Sequence, residues 1–271
     1  MKITFIGGGN MAGAFIGGLV QQGFNPRDIQ VVEVNSDARA SLTRAFELKT
    51  YSAISAEAVK TDLIVLAVKP QQLCAVAAEL QPLLREQLVV SIAAGVRAQD
   101  LARWLGGYAR IVRAMPNTPA LVRAGVTGLY ALPGVNAEGR QQAQQVMEAV
   151  GTCVWFADEA HMDAVTAVSG SGPAYVFYFI EALEAAAVEL GLSPAQGREL
   201  ALTTFLGAAQ LARSSHDDPA TLRAKVTSKG GTTERAIQAL EESGVKALIQ
   251  GAVRAAAQRS HELGDELGKH G

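Results

Sequence analysis

Ile3-Thr4-Phe5-Ile6-Gly7-Gly8-Gly9-Asn10-Met11-Ala12 carries the strongest signal of fold in this chain. A short strand-forming run precedes the glycines, and helix-forming residues follow them. Gly7, Gly9 and Ala12 have the spacing of a dinucleotide-binding loop, in the strand–loop–helix context that this motif requires. The first glycine permits a tight turn, the second lets the backbone approach a pyrophosphate, and the small third residue allows close helix–strand packing. We therefore predict that the loop contacts a dinucleotide through Ile6, Gly7, Gly8, Gly9, Asn10 and Met11.

Downstream of this loop, short β-branched runs alternate with helical stretches. Strands that alternate with helices pair in parallel through right-handed crossovers. We therefore expect an α/β Rossmann-type doubly wound sheet over residues 1–160, with its ligand at the carboxyl ends of the strands. After Ile3–Ile6, the predicted strands are Ile29–Val34, Leu63–Val68, Leu88–Ile92, Ile111–Arg113, Thr127–Tyr130 and Thr152–Phe156.

Segments that follow three of these strands supply further candidates for cofactor contacts. Pro70 ends the third predicted strand and leaves Lys69 at the rim where the cofactor is expected. Asn117, in a rigid loop between prolines, can orient a nicotinamide amide. A merely solvated lysine and an asparagine that only forms a turn remain open alternatives. The predicted contacts at this rim are Ala67, Val68, Lys69, Pro70, Ala94, Gly95 and Asn117.

The residues after the second predicted strand bear on which nicotinamide cofactor binds. Glu33 lies close to the position, about twenty residues past the loop, of an acid that reads the ribose. If Val34 ends the strand, however, Glu33 points away from the ribose. Asn35 and Ser36, followed by Arg39, offer amide, hydroxyl and guanidinium groups that suit a 2′-phosphate. We therefore predict that Asn35 and Ser36 contact NADPH, with NADH also usable.

The second half of the chain, residues 161–271, is predicted to be an all-helical domain. Ser193 and Gln196 form a capping box with proline at the first helical position, which marks a firm helix start. The predicted helices are Pro173–Leu190, Pro194 to about Arg213, Pro219–Val226, Thr233–Glu242 and Val245–Leu263.

One of these helices is unusual because Ala174–Ile180 is apolar on every face. A helix that is apolar all round must be buried all round. The helical residues are too few to enclose it, so we predict an obligate homodimer at minimum, built through this half of the chain. An aromatic-rich core helix within one chain is the alternative.

Composition excludes several classes of function. A net charge of −2, with no cluster of Lys or Arg, gives no support for nucleic-acid binding. No run of about eighteen apolar residues spans a membrane, and no signal segment is visible, so we expect a cytoplasmic protein. The cysteines, Cys74 and Cys153, lack metal or redox spacing and are interpreted as buried thiols; no metal site is predicted.

A second glycine turn interrupts the helical half at Val226-Thr227-Ser228-Lys229-Gly230-Gly231-Thr232-Thr233. The diglycine runs into hydroxyl residues and then Glu234, which indicates the start of a helix with bare backbone N–H groups. Such a turn is suited to hold a small anion. We therefore predict two anion sites in this chain, one for a dinucleotide and one for a small carboxylate.

Taken together, the motifs resemble the pyrroline-5-carboxylate reductase family. GGGNM at Gly7–Met11, AVKP at Ala67–Pro70, MPNTP at Met115–Pro119, SGSGPAYVF at Ser169–Phe177 and TSKGGTT at Thr227–Thr233 occur in that family's order. The last two motifs together are not a general feature of Rossmann proteins. The resemblance runs the whole length of the chain.

The resemblance implies reduction of 1-pyrroline-5-carboxylate to L-proline, the last step of proline synthesis, with NAD(P)H. It also implies homodimers, often assembled into a larger ring such as a decamer. The substrate carboxylate would be held at Gly230, Gly231, Thr232 and Thr233, with Ser171 as a further substrate contact. Thr233 would lie near the ring nitrogen and take the catalytic role. Lys229 stands where the family usually has proline, so the turn lacks the rigidity that a proline would give it.

Two other readings have less support from the residues. A β-hydroxyacid dehydrogenase needs a catalytic lysine on the first helix of its second domain, and no lysine occurs between Lys69 and Lys225. A noncatalytic dinucleotide-binding regulator has no reason to carry the Gly-Gly-Thr-Thr turn. The sequence therefore favours a reductase.

Overall fold

The computed structural model describes residues 1–269, which form two compact units. The first unit combines Met1–Ser171 with the chain from Ala256 onward, and the second unit is Gly172–Ala255. The domain boundary predicted at residues 160/161 remains a prediction.

The first unit is built on one eight-stranded sheet with the strand order β3-β2-β1-β4-β5-β6-β7-β8. Neighbouring strands pair in parallel except β6 and β7, which are antiparallel. The strands are β1 Ile3–Ile6, β2 Ile29–Val32, β3 Lys49–Tyr51, β4 Leu63–Leu66, β5 Leu88–Ser91, β6 Ile111–Met115, β7 Gly125–Ala131 and β8 Gly151–Trp155.

Helices connect the strands and then take over the chain. In the first unit they are α1 Asn10–Gln21, α2 Ser36–Phe46, α3 Pro70–Leu80, α4 Ala98–Trp104, α5 Ala137–Met147 and α6 His161–Val165, with a π-helical turn at Thr166–Gly170. The helices that follow are α7 Gly172–Glu189, α8 Pro194–Ser214, α9 Pro219–Lys225, α10 Thr232–Glu242 and α11 Val245–Gly268.

The sheet departs from the sequence prediction in the bounds of most strands, in one added strand and in the direction of another. β2 ends at Val32 rather than Val34, and β4 ends at Leu66 rather than Val68. β3 was not predicted, because Lys49-Thr50-Tyr51 is too short and too polar to give a strand signal. β7 runs antiparallel to β6 because residues 116–124, which join them, are fewer than the dozen or so that a parallel crossover needs.

Apolar side chains cover both faces of the sheet. On one face Phe5 packs with Phe15 and Leu19 of α1, and on the other Ile64 packs with Leu73 of α3. All five side chains are fully buried. Burying a side chain of this size contributes about 1.5–3 kcal/mol, and strands buried on both faces are what a doubly wound parallel sheet requires.

The second unit, taken by itself, leaves its most apolar helix largely uncovered. Ser193 and Gln196 form the predicted capping box at the start of α8. Gly197 of α8 lies so close to α7 that a Cβ there would be 3.0 Å from the Ala187 Cβ. Among the described residues of α7, however, Ile180 is the one that is buried. The side chains of α7 therefore need a cover that this unit does not supply.

Among residues 1–269, no helix combines the length and apolarity needed to cross a bilayer.

Candidate active site

The residues that follow β4 restrict the conformation of the glycine loop. Gly7 has a φ of +100°, and a Cβ there would be 2.5 Å from the Ala67 carbonyl oxygen and 3.1 Å from the Val68 side chain. The Gly7 N–H donates to the Val32 carbonyl at 2.8 Å, which ties the loop to β2. Glycine is required at position 7 because the chain turns there in the left-handed region, directly beneath the end of β4.

The opposite side of the loop is open. A Cβ built at Gly9 would meet no described atom within 4 Å. Gly9 caps α1 with its backbone, and within residues 1–269 no side chain accepts from the first turn of that helix. Unfilled N–H groups at a helix N-terminus bind phosphate, and the absence of a side chain at Gly9 lets the pyrophosphate approach them. The residues present therefore suit the dinucleotide that the sequence predicts.

Glu33 occupies a different place from the one that the sequence reasoning gave it. β2 ends at Val32, and the side chain of Glu33 lies beside the glycine loop. One carboxylate oxygen accepts the Gly8 N–H at 2.8 Å, and the other accepts the Asn35 N–H at 2.8 Å. The premise that Val34 ends the strand was wrong. The signal that identifies Glu33 was its spacing from the loop.

Asn35 and Ser36 lie at the start of α2, and their predicted contact with the cofactor remains a prediction. The Asn35 side-chain oxygen caps the helix by accepting the N–H groups of Asp37 and Ala38. Ser36 is exposed, as the first residue of the helix. Arg39 folds back over the turn and donates to the carbonyl oxygens of Glu33 and Val34. The turn presents a hydroxyl and a guanidinium, while its amide oxygen is committed to the helix cap.

The rim residues after β4 and β5 also lie at carboxyl ends of strands. Lys69 is exposed and caps α3, with Pro70 at the first helical position. Ala94 is exposed, whereas Gly95 is buried with a φ of +78°. A Cβ at Gly95 would be 3.3 Å from the Leu267 side chain, so the end of α11 packs closely against this loop.

Asn117 is held by the protein at both ends of its amide. Its oxygen accepts the Val126 N–H at 3.0 Å, and its nitrogen donates to the Ser169 carbonyl at 3.1 Å. The residue therefore joins the loop after β6 to the π-helical turn, and one N–H remains for any other partner. Ser171 follows that turn directly, and its N–H donates to the Thr166 carbonyl. π-helical turns occur frequently at functional sites.

A buried ion pair beside this turn was missed by the sequence reasoning. The guanidinium of Arg113, on β6, lies 3.0 Å from the Glu159 carboxylate, and both side chains are largely buried. Glu159 also accepts the Ala98 N–H at 2.6 Å. The pair ties β6 to the start of α4 and to the segment before α6. A charge within an apolar strand was the available signal, because a buried arginine requires a partner.

In the second unit, the diglycine turn forms the start of α10. Gly230 has a φ of +73°, and Gly231 caps the helix with its backbone. Two of the predicted donors are already used: the Gly230 N–H donates to the Glu234 carboxylate at 2.7 Å, and the Gly231 N–H donates to the Ser228 carbonyl. In the described part of the chain, no side chain caps the N–H groups of Thr232 and Thr233. These two residues carry the free donors of the turn.

The thiols are partly rather than fully buried. Burial raises the pKa of the Cys153 thiol to about 12. Cys153 is therefore protonated at neutral pH, which makes it a poor nucleophile.

Comparison with known proteins gives two family matches. A family described as pyrroline-5-carboxylate reductase dimerisation matches residues 159–263, and one described as NADP oxidoreductase, coenzyme F420-dependent, matches residues 2–95. The pyrroline-5-carboxylate reductase of Pseudomonas aeruginosa is 47% identical to this chain over 269 residues, which cover 99% of this chain and 98% of that protein.

Solved structures agree with these matches. A pyrroline-5-carboxylate reductase from Coxiella burnetii has a TM-score of 0.93 and 42% identity, covering 97% of this chain and 98% of its own. Plasmodium falciparum pyrroline carboxylate reductase with NADP bound has a TM-score of 0.86 and 29% identity, covering 97% of this chain and 98% of its own. The sheet and the family matches together identify an NADP-dependent oxidoreductase with a Rossmann sheet and a helical dimerisation region. The chain belongs to the pyrroline-5-carboxylate reductase family.

The chain is accordingly an NAD(P)-dependent oxidoreductase that reduces 1-pyrroline-5-carboxylate to L-proline. The predictions of fold class, family and reaction are confirmed. The dimerisation match also makes the chain part of a homo-oligomer. The roles given to individual residues remain predictions.

Proposed function

We propose that the loop Gly7–Met11 holds the pyrophosphate of the cofactor and that the turn at Gly230–Thr233 holds the carboxylate of the substrate. The observation that carries this proposal is the pair of helix starts, α1 and α10, whose first-turn N–H groups lack side-chain caps among the described residues. Each start is entered through glycines, which leave room for an anion to reach the backbone.

Within the substrate turn, we assign different tasks to the glycines and the threonines. The N–H groups of Gly230 and Gly231 are bonded within the turn and fix its shape. The N–H groups of Thr232 and Thr233 are then the donors to the substrate carboxylate, and the positive end of the α10 dipole supports that charge. Ser171 is a second substrate contact. Lys229 is exposed beside the turn, and its charge attracts an anion. The proline that is usual in the family at this position would instead make the turn rigid.

The rim residues would contact the nicotinamide end of the cofactor. Ligands of doubly wound sheets bind at the carboxyl ends of the parallel strands. The rim residues that follow such ends are Ala67, Val68, Lys69 and Pro70 after β4, and Ala94 and Gly95 after β5. Asn117 would use its remaining N–H for the same purpose. We propose that the cofactor is NADPH or NADH.

The reaction needs little acid–base chemistry from the protein. The cofactor supplies a hydride, and a protonated cyclic imine already has an electrophilic carbon. The chain must hold the imine acid by its carboxylate in one orientation suited to hydride transfer, and alignment alone supplies a large part of the rate acceleration. The Thr233 hydroxyl would hydrogen-bond to the ring nitrogen and exchange its proton with water.

Replacing Thr233 by alanine should lower turnover. Thr233→Ala removes the hydroxyl but keeps the backbone N–H that binds the carboxylate, so we expect kcat to fall about 10- to 100-fold with a smaller change in the KM for the imine. Steady-state kinetics at saturating cofactor measure both constants. Thr232→Ala is the matched control at the neighbouring hydroxyl. Wild-type kcat in Thr233→Ala would remove Thr233 from the mechanism.

We further propose that the homo-oligomer is a dimer formed through the helical half, assembled into a ring such as a decamer, and that the enzyme is cytoplasmic. The apolar residues that α7 exposes in the single chain support the dimer. These residues are Val176, Phe177, Tyr178, Leu183 and Val188.

The decisive test of the whole proposal is an assay of cofactor oxidation with a panel of substrates. The five-membered imine acid should be reduced with a higher kcat/KM than its six-membered homologue, since one methylene changes how the ring sits over the cofactor. Hydroxyacids should give no turnover in the reverse direction. Preference for a hydroxyacid would contradict the proposed substrate turn.

A further inference from the structure

We infer that the C-terminal end of α11 positions the loop that receives the nicotinamide half of the cofactor. This is the β5–α4 loop, residues 92–97, and the contact that positions it is the ion pair of Asp265 with Arg97. The inference rests on the proposed function, which places this loop against the cofactor. All the contacts that carry it lie within the first unit, because the chain from Ala256 onward belongs to that unit.

The strand order places the β5–α4 loop on the nicotinamide side of the site. A dinucleotide lies across the two halves of a doubly wound sheet, at the point where the strand order reverses. Here the order reverses between β1 and β4, and the glycine loop that follows β1 is proposed to hold the pyrophosphate. The adenosine half then lies toward β2 and β3. The loop after β5 lies on the other side of the reversal, beside the nicotinamide half.

The end of α11 is anchored to two other helices of the first unit. The Ser260 hydroxyl donates to the Asp163 carboxylate of α6 at 2.6 Å. About two turns further along α11, the Gly268 carbonyl accepts a hydrogen bond from the Arg103 guanidinium of α4. The helix end is therefore fixed at both extremities of the segment that crosses the loop.

Between these anchors, α11 packs against the most sharply turned residue of the loop. Gly95 is buried and has a φ of +78°. A Cβ at Gly95 would be 3.3 Å from a side-chain carbon of Leu267 and 3.4 Å from the Cβ of Leu263. Ala94, the neighbouring residue, is exposed. The helix thus closes one side of the loop and leaves the Ala94 side open to a ligand.

Arg97, the last residue of the loop, fits into a space on α11 that a glycine provides. Its Nη2 donates to the Asp265 carboxylate at 2.6 Å and to the His261 carbonyl at 3.3 Å. A Cβ at Gly264 would be 3.1 Å from both Nε and Nη2 of Arg97, so a larger residue there would displace the guanidinium. The Arg97 guanidinium also holds the pKa of the Asp265 carboxyl below its usual range, which keeps the pair charged at neutral pH.

The exposure of the pair indicates a positioning role more than a stabilising one. The side chains of Arg97 and Asp265 are 32% and 49% exposed. Ion pairs with this exposure contribute little to the free energy of unfolding, because water screens the charges. The contacts of Leu263 and Leu267 hold the helix end without the pair. What the pair adds is a restraint on Arg97, at the point where the loop enters α4, so its loss should act on the loop.

The test measures the binding of two ligands by titration calorimetry. One is NADP⁺, and the other is 2′-phosphoadenosine 5′-diphosphate, the same molecule without its nicotinamide riboside. In Asp265→Asn we expect the dissociation constant of NADP⁺ to rise about tenfold, because a loosened loop no longer presents a fixed contact to the nicotinamide half. The affinity for the fragment should stay unchanged. Glu266→Gln is the matched control, since Glu266 pairs with Arg259 of the same helix and not with the loop.

Gly264→Ala provides a second variant that keeps both charges of the pair. Its methyl group displaces the Arg97 guanidinium, so the dissociation constant of NADP⁺ should rise as it does in Asp265→Asn. Alanine forms helices better than glycine does, so the midpoint of thermal unfolding should stay unchanged or rise. A stability defect would move the two measurements together. In the double variant the loss of affinity should be no greater than in either single variant, because both substitutions remove the same contact.

Three results would overturn the inference. They are wild-type affinity for NADP⁺ in either single variant, an equal loss of affinity for NADP⁺ and for the fragment, and losses that add up in the double variant. Failure of the proposed function has a different signature. A wild-type protein that bound neither ligand would remove the cofactor site itself. If Gly9→Val weakened both ligands while Asp265→Asn bound NADP⁺ normally, the site would stand and the inference alone would fail.

Discussion

Gly9→Val is expected to weaken the binding of either nicotinamide cofactor by about 100-fold, because the new side chain displaces the pyrophosphate from at least one charge-assisted hydrogen bond worth ~1.5–3 kcal/mol. Gly9 has φ −71° and ψ −177°, which valine adopts without strain. A Cβ there meets no atom of residues 1–269 within 4 Å. The substitution therefore acts on the ligand while the fold stays intact. Calorimetric titration measures the loss.

Two further variants show whether the effect comes from the open side of the loop. Gly9→Ala adds a smaller group and should weaken binding less than valine does. Gly7→Ala should instead lower the thermal stability of the free protein, because its Cβ would meet the Ala67 carbonyl at 2.5 Å in a left-handed turn. Wild-type affinity in Gly9→Val would exclude the loop from the cofactor site.

Tyr178→Glu on α7 is expected to raise the dissociation constant of the homodimer at least about 100-fold. Tyr178 is 72% exposed in the single chain and lies within the residues that match the dimerisation family. In a twofold dimer each substitution occurs twice, and burying an unpaired carboxylate costs several kcal/mol. Analytical ultracentrifugation at micromolar concentration should show monomers in place of the wild-type oligomer.

Val122→Glu is the matched control for this experiment. Val122 is 74% exposed and apolar, but it lies outside residues 159–263. The same charge there should leave the sedimentation coefficient of the oligomer unchanged. A wild-type protein that sediments as a folded monomer would refute the dimer altogether.

Much of the fold was predictable because local signals and tertiary structure agree. β1 and α1 were predicted from the glycine spacing, and α8 from its capping box, since both patterns are set by residues close in sequence. β3 and the antiparallel β7 were not predicted. A three-residue strand carries almost no periodic signal, and strand direction depends on the length of a connection as well as on its composition.

The site was predictable at the level of motifs but not of contacts. The open side of Gly9 follows from the motif itself. The engagement of Asn117 with Val126 and Ser169, and of Glu234 with Gly230, depends on how the chain folds back on itself. Glu33 illustrates the difference most directly: its spacing from the loop is visible in the sequence, but its bonds to the N–H groups of Gly8 and Asn35 depend on the tertiary fold.

Helix α11 makes the nucleotide-binding unit discontinuous along the chain. The helix starts outside this unit and ends on it, where Leu267 covers Gly95 and Asp265 pairs with Arg97 at 2.6 Å. A gene fragment that stopped at residue 171 would encode the whole sheet yet omit this covering segment. The nucleotide-binding module therefore cannot be exchanged with other catalytic modules by a single crossover in the gene.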